Sequence, residues 1–259
     1  MSIVFLIGTL AFIAFFYWMA YQNEKLMGTI EISGNLLLNI PEIIFKLVLI
    51  GLCMGLISSL DTPHPEKYIG WPSANPGLDL LVGAVIGLAV QFVVNITSIL
   101  AIRIFGKEIY SPALMKSIVP KKPIEWVLIL IPLFIAVLFE ELLFRAMLIG
   151  GFSLVVNPWV MAVASSVIFG IMHAPQGRLG IVMTTLVGLV FGAVFILTNS
   201  LVTVIAAHYV VNFLQILRAK EDLSWFERFQ KPTPKAATAF APETEKAAVG
   251  TTTEEPRQS

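Results

Sequence analysis

Charge is scarce in this chain. Of its 259 residues only 13% are charged, against about 25% in an ordinary soluble domain. That shortage argues against a typical soluble enzyme and against a disordered protein. Cysteine is nearly absent: Cys53 stands alone inside an apolar run, which excludes an internal disulfide and a Cys-based zinc site. A bias of sign is missing too. Lys+Arg 17 balance Asp+Glu 17, so no basic surplus points to nucleic acid. No internal repeat and no soluble second domain can be read. What fills the chain instead is apolar: 57% hydrophobic residues and a mean hydropathy of +0.84. These figures describe an integral membrane protein.

A helix of about 20 apolar residues spans a hydrocarbon core roughly 30 Å thick. Runs of that kind cover 3–21, 36–60, 78–105, 124–149, 158–173, 180–198 and 201–217, with Asn199-Ser200 as the turn between the last two. The expected fold is all-α, a polytopic transmembrane helix bundle of about seven spans, with eight as the alternative. The first run lacks the positive n-region and the A-x-A site of a signal peptide, so it is expected to stay as a helix. Lys25, Lys107, Lys116, Lys121, Lys122, Arg178, Arg218, Lys220, Arg228 and Lys231 fall on one set of flanks and Lys67 on the other. By the positive-inside rule this predicts an outside N-terminus and a cytoplasmic C-terminus, in a prokaryotic inner or plasma membrane.

The bundle is expected over 1–230. Near its end Leu223, Trp225, Phe226 and Phe229 mix with charged residues, as in a short interfacial helix or an amphipathic cap. From 231 to 259 the composition is that of a disordered tail. The spacings Gly51/Gly55, Gly83/Gly87 and Gly188/Gly192 suit close helix packing. Glu42/Lys46 and Gln91/Asn95, each four apart, can satisfy one another on a helix face. His64 lies in the Pro-rich segment Thr62-Pro-His-Pro65 and reads as incidental.

The fourth run holds groups that do not belong in lipid: Phe139-Glu140-Glu141-Leu-Leu-Phe-Arg145. Each ionisable residue at a helix centre costs about 2.5–3.5 kcal/mol on insertion scales. Glu141 and Arg145, four apart and acid first, can pair on one face. Glu140, about 100° round the helix, cannot share that arrangement equally and is left for another task. A purely structural salt bridge beside a protonated second glutamate would fit this helix alone, as would an ion pathway.

Two further helices shift the balance. The fifth run ends Phe169-Gly-Ile-Met-His173 and the seventh carries His208-Tyr-Val-Val-Asn212, each pair one turn apart. Counting 1.5 Å per residue from the outer ends puts Glu140 about 14 Å deep, His208 about 12 Å and His173 about 22 Å. Straight helices would leave His173 low, and a kink at Pro132 or a tilt would close the gap. A carboxylate, two imidazoles and an amide can activate water and stabilise an oxyanion. Glu140, His173 and His208 can alternatively ligate Zn2+, although the spacing is not that of H-E-x-x-H proteases.

E-E-x-x-x-R at Glu140, Glu141 and Arg145, F-x-x-x-H at Phe169 and His173, and H-x-x-x-N at His208 and Asn212 together resemble the CPBP (ABI) family of intramembrane proteases, which includes the type II CAAX prenyl proteases. The resemblance covers about 124–217, the protease-like core, and all the motif residues are present. It implies a glutamate-dependent endopeptidase acting on a membrane-associated or prenylated protein or peptide, with or without a metal. By analogy Glu140 activates water with His173, His208 and Asn212 form the oxyanion site, and Glu141 and Arg145 position the helix. The alternatives are a non-catalytic membrane partner or assembly factor of the same fold, working through its loops or tail, and an ion or proton transporter.

Overall fold

In the computed structural model, residues 2–27, 34–111 and 113–229 are described, and all their regular structure is helical. The expected tail, 231–259, lies outside the described residues. The chain divides into two units, Met1–Glu221 and Asp222–Ser259. Of the second, the described part is the helical backbone up to Phe229. The side chains of the expected interfacial segment, Leu223 to Phe229, also lie outside the described residues.

The first unit is a bundle. Helix α1 runs Ile3–Met27, α2 Ile40–Ser58, and the short α3 Pro65–Ile69. The long α4 is Pro76–Phe105, followed by the short helices α5 Ala113–Ile118 and α6 Pro123–Leu128. Helix α7 is Leu130–Glu141, α8 Pro158–Met172, α9 Gly177–Thr198 and α10 Leu201–Phe229. Every apolar run of the sequence is therefore helical. Among the described residues five segments are long and apolar enough to cross a membrane: Ile40–Ser58, Pro76–Phe105, Pro123–Leu154, Ala174–Thr198 and Leu201–Glu221. The other two, Ile3–Met19 and Pro158–Met172, are shorter; the fifteen residues of α8 rise about 22 Å.

The fourth apolar run is not one straight helix. Pro132 has no N–H with which to reach Leu128 O, so α6 stops and α7 restarts, with Ile129 N bonded to Glu125 O and Leu133 N to Ile129 O, both at 2.9 Å. Pro132 then sits in the first turn of α7, where a missing N–H does no harm. Beyond Glu141 the winding changes again. Leu142–Gly150 form a π-helix, every residue of it buried, and Gly151–Leu154 a 3-10 turn. A π segment is rare and tends to mark function. Here it lies at the centre of the bundle, directly after the two glutamates.

Small residues bring the neighbouring helices close. A methyl added at Gly83 or Gly87 of α4 would meet the carbonyls of Thr203 and Ala207 on α10 at 2.3 and 2.6 Å. At Gly188 and Gly192 of α9 it would meet Ser166 and Ala162 of α8, both at 3.1 Å. Gly51 and Gly55 on α2, by contrast, have nothing within 4 Å. Helix α1 turns Phe5, Thr9, Phe12 and Phe16 inward, and Phe12 and Phe16 stack on Phe139 at 6.1 and 4.9 Å between centroids. That aromatic contact holds α1 against the residue preceding Glu140.

The start of α10 is tied down as well. Asn199 takes the left-handed conformation (φ 46°) that ends α9, one that Asn tolerates. Its amide donates to Lys67 O at 3.1 Å, and Leu201 N donates to Gly70 O at 3.0 Å. The Ser200 hydroxyl donates to Asp79 at 2.6 Å, and that of Ser73 donates to the same oxygen. The helix that carries His208 is thus clamped two turns above it.

Candidate active site

Glu141 is fully buried and bonded twice through one oxygen. Its Oε1 accepts from Arg145 at 2.9 Å and from His208 Nδ1 at 2.6 Å. The guanidinium also donates to Gly188 O at 3.3 Å and lies over the rings of Phe169 and Phe191 at 5.3 and 5.6 Å. Arginine suits this place because its donors form a fork and its face stacks on aromatics. Oε2 of Glu141 is buried with no hydrogen-bond partner among the described residues. Glutamate, arginine and imidazole form one connected set across α7, the π-helix, α9 and α10.

The bond to Glu141 fixes the imidazole. A carboxylate accepts, so Nδ1 of His208 carries the hydrogen and Nε2 is left as an acceptor. Asn212, one turn on, donates its amide to that Nε2 at 3.1 Å. The Oε2 of Glu140 stands 3.5 Å from the same nitrogen. Glu140 differs from its neighbour in exposure: its side chain is 26% accessible, that of Glu141 0%. The helical rotation inferred from sequence therefore separates one glutamate engaged with arginine from one at an opening.

His173 caps the C-terminal end of α8. Its Nδ1 donates to Phe169 O at 2.7 Å, which leaves Nε2 as an acceptor. Phe169 packs edge-on against both imidazoles, 4.5 Å from His173 and 5.9 Å from His208. The two histidines thus flank one aromatic ring, although counting along straight helices separated them in depth. Among the described residues no hydrogen bond joins His173 to Glu140.

Phe191 and Gly188 belong to this assembly and carried no sequence signal as site residues. Phe191 stacks on His208 at 5.4 Å. Gly188, read from sequence as packing alone, also supplies the carbonyl that holds Arg145. The pairs Glu42/Lys46 and Gln91/Asn95 each bond internally, the latter at 2.9 Å, and take no part.

The zinc alternative meets an obstacle in the donors. Both nitrogens of His208 are engaged, one by Glu141 and the other by Asn212. Among the described residues no group of three or more His, Cys, Asp or Glu side chains is arranged to hold a metal ion. Glu140, His173 and His208 as placed do not fit a zinc set, and no step below runs through one.

A polytopic helical bundle with a glutamate, two histidines and an asparagine gathered between its spans has the parts of a hydrolase that works within a membrane. Comparison with known families agrees: residues 122–214, from the approach to α6 into α10, match the family Rce1-like, described as Type II CAAX prenyl endopeptidase Rce1-like. The match supports a CPBP/CAAX protease assignment for this stretch, and the long apolar helices fit an integral membrane protein. No curated protein and no solved structure matches the chain.

Proposed function

We propose that this protein is an intramembrane endopeptidase that cuts near the C-terminus of prenylated proteins, with Glu140 as general base. The observation that carries the reading is the placement of Glu140 Oε2 3.5 Å from His208 Nε2, at the open side of an otherwise buried hydrogen-bonded set. In this reading Nε2 of His173 accepts a hydrogen bond from water while Glu140 takes the proton. The water oxygen bonds to the scissile carbonyl carbon. The developing oxyanion is met by the second N–H of Asn212, whose first N–H is held by His208 Nε2, the ring being held in turn by Glu141. Collapse breaks the C–N bond, and Glu140 returns its proton to the departing amine. Glu141, Arg145 and Gly188 O act as positioning groups.

The test is cleavage of a farnesylated peptide ending in a CAAX sequence by protein in lipid nanodiscs, read by mass spectrometry. Glu140→Gln should lower the rate by about 10²–10⁴-fold, the usual contribution of a positioned base. Cleavage at the wild-type rate by this variant would remove Glu140 from the mechanism. The product ends would report the bond cut.

A further inference from the structure

We infer that Arg178 anchors the free C-terminal carboxylate of the substrate, so that the enzyme selects chain ends; the inference rests on the CAAX reading above. In a CAAX sequence three residues follow the prenylated cysteine. Any bond cut beyond that cysteine therefore lies within three residues, at most about 11 Å of extended chain, of a carboxylate that every such substrate carries. Glu140, the most exposed charge of the site, repels that group. A cation must compensate, and Arg145 is spent: it is 2% exposed and bonded to Glu141 and Gly188 O.

Arg178 meets the requirement by position. His173 is followed by the 3-10 turn Ala174–Gln176, and Arg178 comes five residues after His173, in the first turn of α9, so even a fully extended chain keeps it within about 18 Å. The arginine is exposed and, among the described residues, makes no ion pair or hydrogen bond. Yet its backbone is braced. Gly177 has φ +84°, and a methyl there would meet Ile109 O at 2.8 Å and Ser111 N at 3.0 Å. Ser111 N donates to Gln176 O at 3.0 Å, and Leu179 and Gly180 are buried. An unengaged guanidinium on a fixed turn that follows His173 is able to receive a ligand, and its fork matches a carboxylate. Lys116, exposed on α5 against the same turn, offers a point charge without that geometry.

The experiment compares two farnesylated CAAX peptides of one sequence, one ending in a free acid and the other in an amide, using full-length protein in nanodiscs. Wild type should favour the acid about tenfold in kcat/KM, mainly through KM, the size of one charge-assisted pair. Arg178→Ala should bring that ratio toward one, Arg178→Lys should retain part of it, and Lys116→Ala all of it. Equal cleavage of the two peptides by wild type overturns the inference without any variant and leaves the endopeptidase standing. An undiminished ratio in Arg178→Ala, or its collapse in Lys116→Ala alone, overturns it as well. If neither peptide yields a Glu140-dependent product, the CAAX reading itself falls and takes the inference with it.

Discussion

Helix α4 and the π-helix that follows α7 are both apolar and occupy opposite environments. Most of α4 is exposed, and its buried residues form a single line, Gly83, Gly87 and Gln91, four apart. The π-helix is buried at all nine positions and contains Arg145. Within a bilayer the tails are as apolar as leucine, so burial is driven by packing and polar contacts rather than by hydrophobicity. The comparison makes that concrete. The segment sunk deepest in protein carries the charge, because only protein can surround a guanidinium with a carboxylate, a carbonyl and two aromatic faces. The segment facing outward keeps glycine where it must touch α10.

The largest expected break in this contrast is Arg145→Met. It leaves Glu141 as a buried carboxylate held by His208 alone, and losing one partner of a buried pair costs about 3–5 kcal/mol. Thermal unfolding in detergent should show it as a marked loss of stability, accompanied by loss of activity through the freed His208. Joint replacement of Glu141 and Arg145 by Gln and Met should recover part of the stability and none of the activity. If Arg145→Met alone unfolded like wild type, the buried pair would not be the organising contact described here.

How far the sequence could reveal this arrangement follows from the same pair of helices. Spans and motif residues are legible because period 3.6 and simple hydropathy report them, and the four-residue spacing of Glu141 and Arg145 is enough to anticipate their bond. The restart at Ile129 is visible in Pro132. The π winding is not, since eight apolar residues and one arginine read alike whichever carbonyl each N–H reaches. Depth counting along single helices could not show that His173 and His208 meet the same Phe169 ring, because that contact depends on how α8 packs against α10. Phe191 and Gly188 were hidden for a related reason: an aromatic and a glycine in a span read as packing until a partner from another helix reaches them. The backbone of α10 is helical to Phe229, past the expected end at 217, because Arg-Ala-Lys-Glu are strong helix formers and nothing in 218–229 interrupts them.

A smaller break lies on α4. Gly87→Ala places a methyl 2.6 Å from Ala207 O and 2.9 Å from Val210. Backbone must move, at a cost of about 1–3 kcal/mol. Because Ala207 precedes His208, cleavage should fall along with stability. Gly51→Ala, a substitution with the same chemistry on a helix face with open space, should stay within about 0.5 kcal/mol of wild type and keep its activity. Equal effects at the two glycines would mean that helix propensity, not contact with α10, sets the response.

A modest effect of the opposite sign is expected one turn further along α4. Gln91 donates to Asn95 at 2.9 Å, while its Oε1 is buried without a partner among the described residues. An intramembrane hydrogen bond contributes about 0.6 kcal/mol on average, and an unpaired buried polar atom costs about 1–3 kcal/mol. Gln91→Leu removes both at similar volume, so the unpaired oxygen outweighs the bond. The variant should melt slightly higher, by an amount corresponding to about 1 kcal/mol, with cleavage unaltered. A lower melting point would mean that the carbonyl has a partner, such as a bridging water between α4 and α10, and that this face of α4 is more polar in function than its glycine line implies.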